Sequence, residues 1–343
     1  MFKKIFFSNY GILCAVILFF AGAVLLLDLK MGSRSPGAAD FLFYYKNFAL
    51  ASAKRVGVWI VLALFSWLVA KTLIFYSTSL KEKSPKLLLV QTAKSFYRES
   101  KEILKATALT AAVLFLATSA LAKINFLNRV NLKDEILLKI DRALTGGDPF
   151  IFLHSLKYPA WFVWLIEFSF LNLPLFMIIA VVYFFYKNKT IFLKYVSAFA
   201  LGLPFLFVIW ISVPALSPQD RFIDNVYELP LPAEISSALT HYKPQLEIKN
   251  FLLKERFYKN GLKDMSTSTM PSSHVFWAFI TGFYLFRINK KMFWLALPVL
   301  TFSTLGTVFF AQHYLIDVPV AILIGVASVA LTEIYFNYLR RRV

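Results

Sequence analysis

Residues 270–317 read MPSSHVFWAFITGFYLFRINKKMFWLALPVLTFSTLGTVFFAQHYLID. Two apolar blocks flank a short basic turn that holds Arg287, Lys290 and Lys291, and each block has a histidine at the end away from that turn. Apolar blocks of about 20 residues match the length needed to cross the hydrocarbon core as a helix. The stretch is therefore a membrane hairpin that brings His274 and His313 to one face. It also places Asp317 four residues after His313, the spacing at which helical side chains meet.

The rest of the chain follows the same pattern. It is 59% hydrophobic and only 16% charged, with a mean hydropathy of +0.64; a soluble domain carries about a quarter charged residues. Eight spans are expected, at 10–28, 56–76, 105–127, 159–186, 191–214, 272–288, 292–311 and 315–337. Pro174, Pro204, Pro298 and Pro319 fall inside spans, as membrane helices tolerate. The fold class is all-α: a polytopic membrane helical bundle of about eight transmembrane helices. Residues 1–50 form the first helix and its loop, 51–190 further membrane helices with an amphipathic segment, and 191–343 the catalytic region with a long loop at 215–271.

Charge fixes an orientation. The tail Arg340–Arg342, the turns with Lys187 and Lys189 and with Arg287 to Lys291, and the basic loop 77–104 all belong inside by the positive-inside rule. Eight spans with both termini cytoplasmic satisfy every one of these, and put His274, His313 and loop 215–271 together on the outer face. Anionic headgroups suit the net charge of +18. Nucleic acid does not, because no soluble basic domain is large enough to form a groove. The single cysteine, Cys14, permits no intrachain disulfide. The apolar N-terminus is expected to be an uncleaved helix, since further spans follow. The Lys- and Phe-rich composition suits a bacterial inner membrane.

Two outer segments carry more than linkage. Leu132, Ile136, Leu137, Ile140 and Leu144 recur at helical spacing before Gly146-Gly147, which predicts an amphipathic helix at the interface. Loop 215–271 is far longer than an ordinary connection and is expected to be a lid or headgroup cap. His154 and His241 read as surface residues, Glu167 as an intramembrane carboxylate, and Glu333 as a paired or interfacial one.

The two histidines suffice for phosphoryl transfer without a metal. An imidazole attacks phosphorus when one nitrogen is free and the other is held, and Asp317 can hold it as the aspartate of a catalytic triad does. His274 then protonates the leaving oxygen. Ser272 or Ser273 can cap the helix that His274 opens, and a helix N-terminus suits an anion. No cysteine and no third strong ligand stands near either motif, so a zinc site is the weaker reading.

Met270-Pro271-Ser272-Ser273-His274 resembles the second motif of the type 2 phosphatidic acid phosphatase (PAP2) superfamily, and His313-Tyr314-Leu315-Ile316-Asp317 resembles the end of its third. The match is closest to the branch containing inositol phosphorylceramide and sphingomyelin synthases, and covers roughly residues 190–337. The resemblance implies a PAP2-like six-helix core, a phospho-His313 intermediate, His274 as acid, Asp317 as orienting residue, and neither metal nor other cofactor. It implies a lipid phosphatase or phosphotransferase acting on a phospholipid or polyprenyl phosphate, with headgroup transfer to a lipid or glycan alcohol favoured over hydrolysis. The chain departs from the family where Ser-Arg usually precedes the third-motif histidine, since Gly306 and Thr307 stand there. The first motif is not evident. Arg221 is the best stand-in for the missing cation, with Arg256, Lys259 and Lys263 as alternatives; with Ser272 and Ser273 these complete the substrate-binding set. The competing class is a non-catalytic transporter or membrane scaffold, which vanadate would not affect. Transporters place charges at the bilayer midplane, whereas this chain gathers its distinctive polar residues at one edge.

Overall fold

The computed structural model describes residues 8–31, 105–106, 108–125, 127–128, 131–156, 158–223, 229–231 and 267–342. Contacts divide the chain into one unit of residues 1–35 with 113–343 and another of residues 36–112. Of the second unit only residues 105–106 and 108–112 are described, and they are helical. The span expected at 56–76 and the basic loop 77–104 lie outside the described residues.

The described helices are α1 (Gly11–Met31), α2 (Ala108–Asn125), α3 (Asp134–Thr145), α4 (Pro149–Ser155), α5 (Ala160–Lys187), α6 (Lys189–Ser212), α7 (Ser273–Ile288), α8 (Lys290–Phe309) and α9 (Asp317–Arg342). Six of them, α1, α2, α5, α6, α8 and α9, are long and apolar enough to cross a membrane. Each falls within a few residues of an expected span. The sixth expected span becomes α7, which has 16 residues. Leu25, Leu26, Leu29, Trp161, Trp164, Trp294, Leu295, Leu323 and Ile334 are exposed. Large apolar faces turned outward in this number need an apolar solvent, so the chain is an integral membrane protein.

The core is organised around α7, which packs on α5, α6, α8 and α9. Close approach depends on small residues, as is usual between membrane helices. A Cβ on Gly202 of α6 would lie 2.0 Å from Phe276 Cζ, and one on Gly325 of α9 would lie 2.5 Å from Phe279 Cδ1. Phe276 is fully buried in the space that Gly202 leaves. At the end of the bundle away from His274, α5–α6 and α7–α8 reverse through single residues, Asn188 and Asn289. Each asparagine caps the helix it precedes: Asn188 Oδ1 accepts from Ile191 N at 3.0 Å, and Asn289 Oδ1 from Lys291 N at 3.0 Å. At that same end Glu333 of α9 pairs with Lys194 of α6 at 2.7 Å and lies 3.8 Å from Arg287 of α7, which makes good the expectation of a paired Glu333.

Replacing Gly202 with valine should force α6 and α7 apart. Overpacking of this kind costs about 1–3 kcal/mol, so the thermal midpoint of Gly202→Val in detergent should fall below that of wild type. An unchanged midpoint would show that Phe276 does not fill that space.

Candidate active site

His313 sits in the linker between α8 and α9. Helix α8 ends where Ala311 takes φ 51°, a left-handed conformation that costs a non-glycine residue roughly 1–2 kcal/mol. The turn lets two consecutive N–H groups, of Gln312 and His313, donate to the Thr307 carbonyl at 3.0 Å each. The other N–H groups of the linker are also held. Tyr314 N donates to Asp317 Oδ2 at 3.1 Å, Leu315 N to Asp141 Oδ2 at 2.7 Å, and Ile316 N to Asp141 Oδ1 at 2.9 Å. The Tyr314 hydroxyl donates to Asp134 Oδ1 at 2.9 Å, and the same oxygen accepts from Leu216 N at 2.8 Å.

These bonds assign the imidazole tautomer. His313 Nδ1 lies 2.9 Å from the Thr269 carbonyl and 3.1 Å from Asp317 Oδ2. A carbonyl oxygen can only accept, so Nδ1 carries the hydrogen and Nε2 keeps its lone pair. Asp317 is fully buried, whereas the His313 side chain retains 11% exposure. Burial pushes the His313 imidazole down to about 4, against which the Thr269 carbonyl pulls only weakly. The ring is therefore neutral and nucleophilic at neutral pH. The Thr269 carbonyl is fixed by the base of the long loop: Ala215 and Ser268 form an isolated bridge, with Ala215 N donating to Thr267 O at 3.0 Å and Thr269 N to Ala215 O at 3.3 Å. The tip of loop 215–271, expected to be a lid or cap, lies outside the described residues, as does His241.

His274 stands in the first turn of α7. Ser272 is the residue that caps it: its buried Oγ accepts from Val275 N at 3.4 Å. Ser273 is the partly exposed first residue of the helix. The first N–H groups of a helix have no carbonyl within it, so those of Ser273 and His274 are at hand for an anion. The His274 ring stacks on Phe170 of α5 at 4.6 Å and 14°, and its centroid lies 6.5 Å from that of His313. The hairpin thus brings together the three residues expected to carry chemistry.

The expected cations fare differently. Arg221 is buried in a π-turn at Gln219–Ile223. Its Nη2 donates to Pro230 O at 2.8 Å and lies 3.9 Å from Glu135 Oε1, while its Nη1 is buried without a partner among the described residues. Lys259, Lys263 and Arg256 lie outside the described residues. Among the described residues no cluster of three or more His, Cys, Asp or Glu could hold a metal ion.

The sequence reading passed over two residues. Neither Asp134 nor Asp141 is among the site residues expected from the sequence. The predicted helix does form as α3, with Ile136, Ile140 and Leu144 exposed, whereas Leu137 of the same predicted stripe is buried. Its opposite face is buried against the His313 linker through these two carboxylates, together with Leu137 and Leu138. Their i, i+7 spacing was the available signal, since it puts both on one face. Burial raises Asp141 and pushes Asp134 up to about 6, the latter opposed by its bonds from Tyr314 and Leu216. Burial raises the Tyr314 hydroxyl too, and Asp134 beside it adds to the effect.

Residues 135–331, more than half of the chain, match the PAP2 superfamily. The chain belongs to that superfamily. No curated protein and no solved structure matches it. The PAP2 match begins at α3, well ahead of residue 190 where the motif resemblance starts, so the helix that grips the His313 linker is part of the shared region. PAP2 membership points to phosphatase or phosphotransferase chemistry. The departure at Gly306 and Thr307 has a structural side. A Cβ on Gly306 would lie 3.0 Å from Phe170 Cβ, and Phe170 carries the ring on which His274 stacks. Thr307 is fully buried, donates through Oγ1 to Thr304 O at 2.7 Å, and lends its carbonyl to the turn that aims His313.

Asp141→Ala should leave two buried N–H groups unpaired, at about 1–3 kcal/mol each. Phosphoryl-transfer turnover should fall about 10- to 100-fold, with the helical signal in circular dichroism unchanged. Wild-type turnover in this variant would show that the linker is oriented without α3.

Proposed function

We propose that the chain is a membrane phosphotransferase that passes a phosphoryl or phosphodiester group through His313. The observation that carries this reading is the pairing of a tautomer-fixed His313, its Nε2 free, with a second imidazole 6.5 Å away. Two rings this close can address one phosphate ester, His313 at phosphorus and His274 at the leaving oxygen.

In the first step Nε2 of His313 forms a bond to phosphorus as the ester oxygen leaves. His274 gives that oxygen its proton, and Asp317 offsets the positive charge on the phosphoimidazole. In the second step His274 takes a proton from the acceptor hydroxyl, whose oxygen displaces His313. A bound phosphate between the rings favours the protonated imidazole that the first step requires. The N–H groups of Ser273 and His274 at the start of α7 suit the non-bridging oxygens. Ser272 shapes this turn, and Arg221, Lys259 and Lys263 are the proposed sources of positive charge.

The finer reading is a lipid substrate, a phospholipid or polyprenyl phosphate at the outer leaflet, with both termini cytoplasmic in a bacterial inner membrane. Headgroup transfer to an alcohol, as in the inositol phosphorylceramide synthase branch, is favoured over release to water. Tyr314 after His313, and Ser273 where the family's second motif usually has glycine, support it, since both resemble that branch. Incubation with lipid phosphates and phosphodiesters, with and without an added alcohol and with and without EDTA, tests it. Transfer product without free phosphate supports the synthase reading, free phosphate alone supports hydrolysis, and strict metal dependence sinks the metal-free mechanism.

His313→Ala should lose at least about 10³-fold in turnover. His274→Ala should lose about 10²–10⁴-fold with an alkyl leaving group and much less with nitrophenolate, which needs no proton. Asp317→Asn should lose less than the roughly 10⁴-fold seen when a triad aspartate is the sole tautomer holder, because the Thr269 carbonyl still holds Nδ1–H. Full activity in His313→Ala sinks the mechanism.

The pH profile gives a separate check. Protonation of Nε2 removes the nucleophile, so kcat/KM falls as pH drops through the pKa of His313 in the free enzyme. With that value pushed down to about 4, activity on a permanently charged phosphodiester should persist well below the ordinary histidine value of about 6.5. A half-loss near pH 6.5 would contradict the burial of His313.

A further inference from the structure

A cavity of about 1060 Å³ runs between α7, α8 and α9; neither histidine lines it, but their chain neighbours do. At one end it is lined by Val275, next to His274, by Leu315, two residues after His313, and by the α3–α4 turn at Thr145–Gly147. At the other it reaches Phe286 and Phe293. Eleven helical residues separate Val275 from Phe286, a depth of about 16 Å. That is about half of the ~30 Å hydrocarbon core, the depth of one leaflet. No charged side chain lines it. The hydroxyl of Thr304 is turned back to the Leu300 carbonyl at 3.0 Å, which leaves its methyl as the apolar part of the wall. Thr301 and Phe286 are exposed along one side, so the cavity is open laterally. The mouth has a different character. Gly146 takes φ 75° and so terminates α3, and the Arg142–Asp148 pair at 2.7 Å closes the turn, which sets backbone polar groups at the level of the histidines.

We infer that this cavity seats a single hydrocarbon tail of the phosphate ester that reacts at His313, with the tail running from the α3–α4 turn down the α7–α8 groove. The inference rests on the phosphotransferase reading and narrows its substrate to esters with one long tail that lies apart from the rest of the molecule. Three observations select this occupant: an end walled by Val275 and Leu315, close in the chain to the two histidines, a depth of one leaflet, and walls without a charge. A polar or soluble substrate would leave the cavity unused. Thr301, midway along α8, becomes the residue that sets how much tail fits.

The test measures kcat/KM of the purified full-length chain for monoalkyl phosphates with short, medium and long tails. In wild type the value should rise with tail length. Thr301→Trp should lose about tenfold on the long tail, the discrimination an apolar pocket achieves, while the short-tailed ester, which also reports correct folding, stays within about twofold of wild type. Leu297→Ala enlarges the far half and should shift the preference to longer tails. A tail-length profile that is identical in wild type and both variants overturns the pocket and leaves the phosphotransferase reading standing. Absence of turnover on every phosphate, or turnover that survives His313→Ala, overturns that reading instead. The pocket is then read by photolabelling with a diazirine-tailed alkyl phosphate: labels on α7 and α8 facing the cavity support it, and labels elsewhere, or labels unchanged by Thr301→Trp, overturn it.

Discussion

A fully buried carboxylate at the start of α9 is the constraint around which the site is built. Asp317 has no exposure, and a buried polar group is tolerated only when it is hydrogen-bonded. Its Oδ2 serves both His313 Nδ1 and Tyr314 N, while Oδ1 is buried without a partner among the described residues. Shifting the linker by one residue would strand the carboxylate and release the ring together. The surrounding layers can be understood as what keeps this from happening. Thr307 supplies a carbonyl to the turn, Asp141 takes the next two N–H groups, and Asp134 takes the Tyr314 hydroxyl.

Much of this was legible in the sequence, for identifiable reasons. Membrane helices announce themselves through length and hydropathy, so α1, α2, α5, α6, α8 and α9 lie within a few residues of the expected spans. The i, i+4 relation of His313 and Asp317 is geometric and survives folding. The hairpin then had to bring His274 alongside. What stayed hidden depends on partners rather than on periods. The apolar stripe of α3 predicted a helix at an interface and was right about Ile136, Ile140 and Leu144. A stripe says nothing of what the opposite face meets, and that face grips the His313 linker. The Thr269 carbonyl could not be foreseen at all, because a backbone acceptor carries no residue identity. It is placed by a bridge between Ala215 and Ser268, more than 50 residues apart in sequence.

The family comparison and the packing explain each other at Gly306. In the PAP2 pattern this is the first of two polar positions ahead of the histidine. Here it is the contact at which α8 passes close to Phe170, and Phe170 is the floor under His274. The position is given over to helix packing and the next, Thr307, is a buried uncharged residue where the pattern has arginine, so on the proposed function positive charge for the phosphate comes from elsewhere. Arg221, buried with one nitrogen unpaired among the described residues and close to Glu135, is in a setting that suits such a role.

Helix α7 has 16 residues, a length of about 24 Å at 1.5 Å per residue. The hydrocarbon layer is about 30 Å thick, so α7 is short of it by about 6 Å. Its far end is anchored by Asn289 and the charged group around Glu333, and the deficit therefore falls at the end where His274 sits. Helix α7 is enclosed by α5, α6, α8 and α9, all longer, so the shortfall leaves a recess among them. On the proposed function, a phosphate reaches His274 in the recess that these longer helices frame.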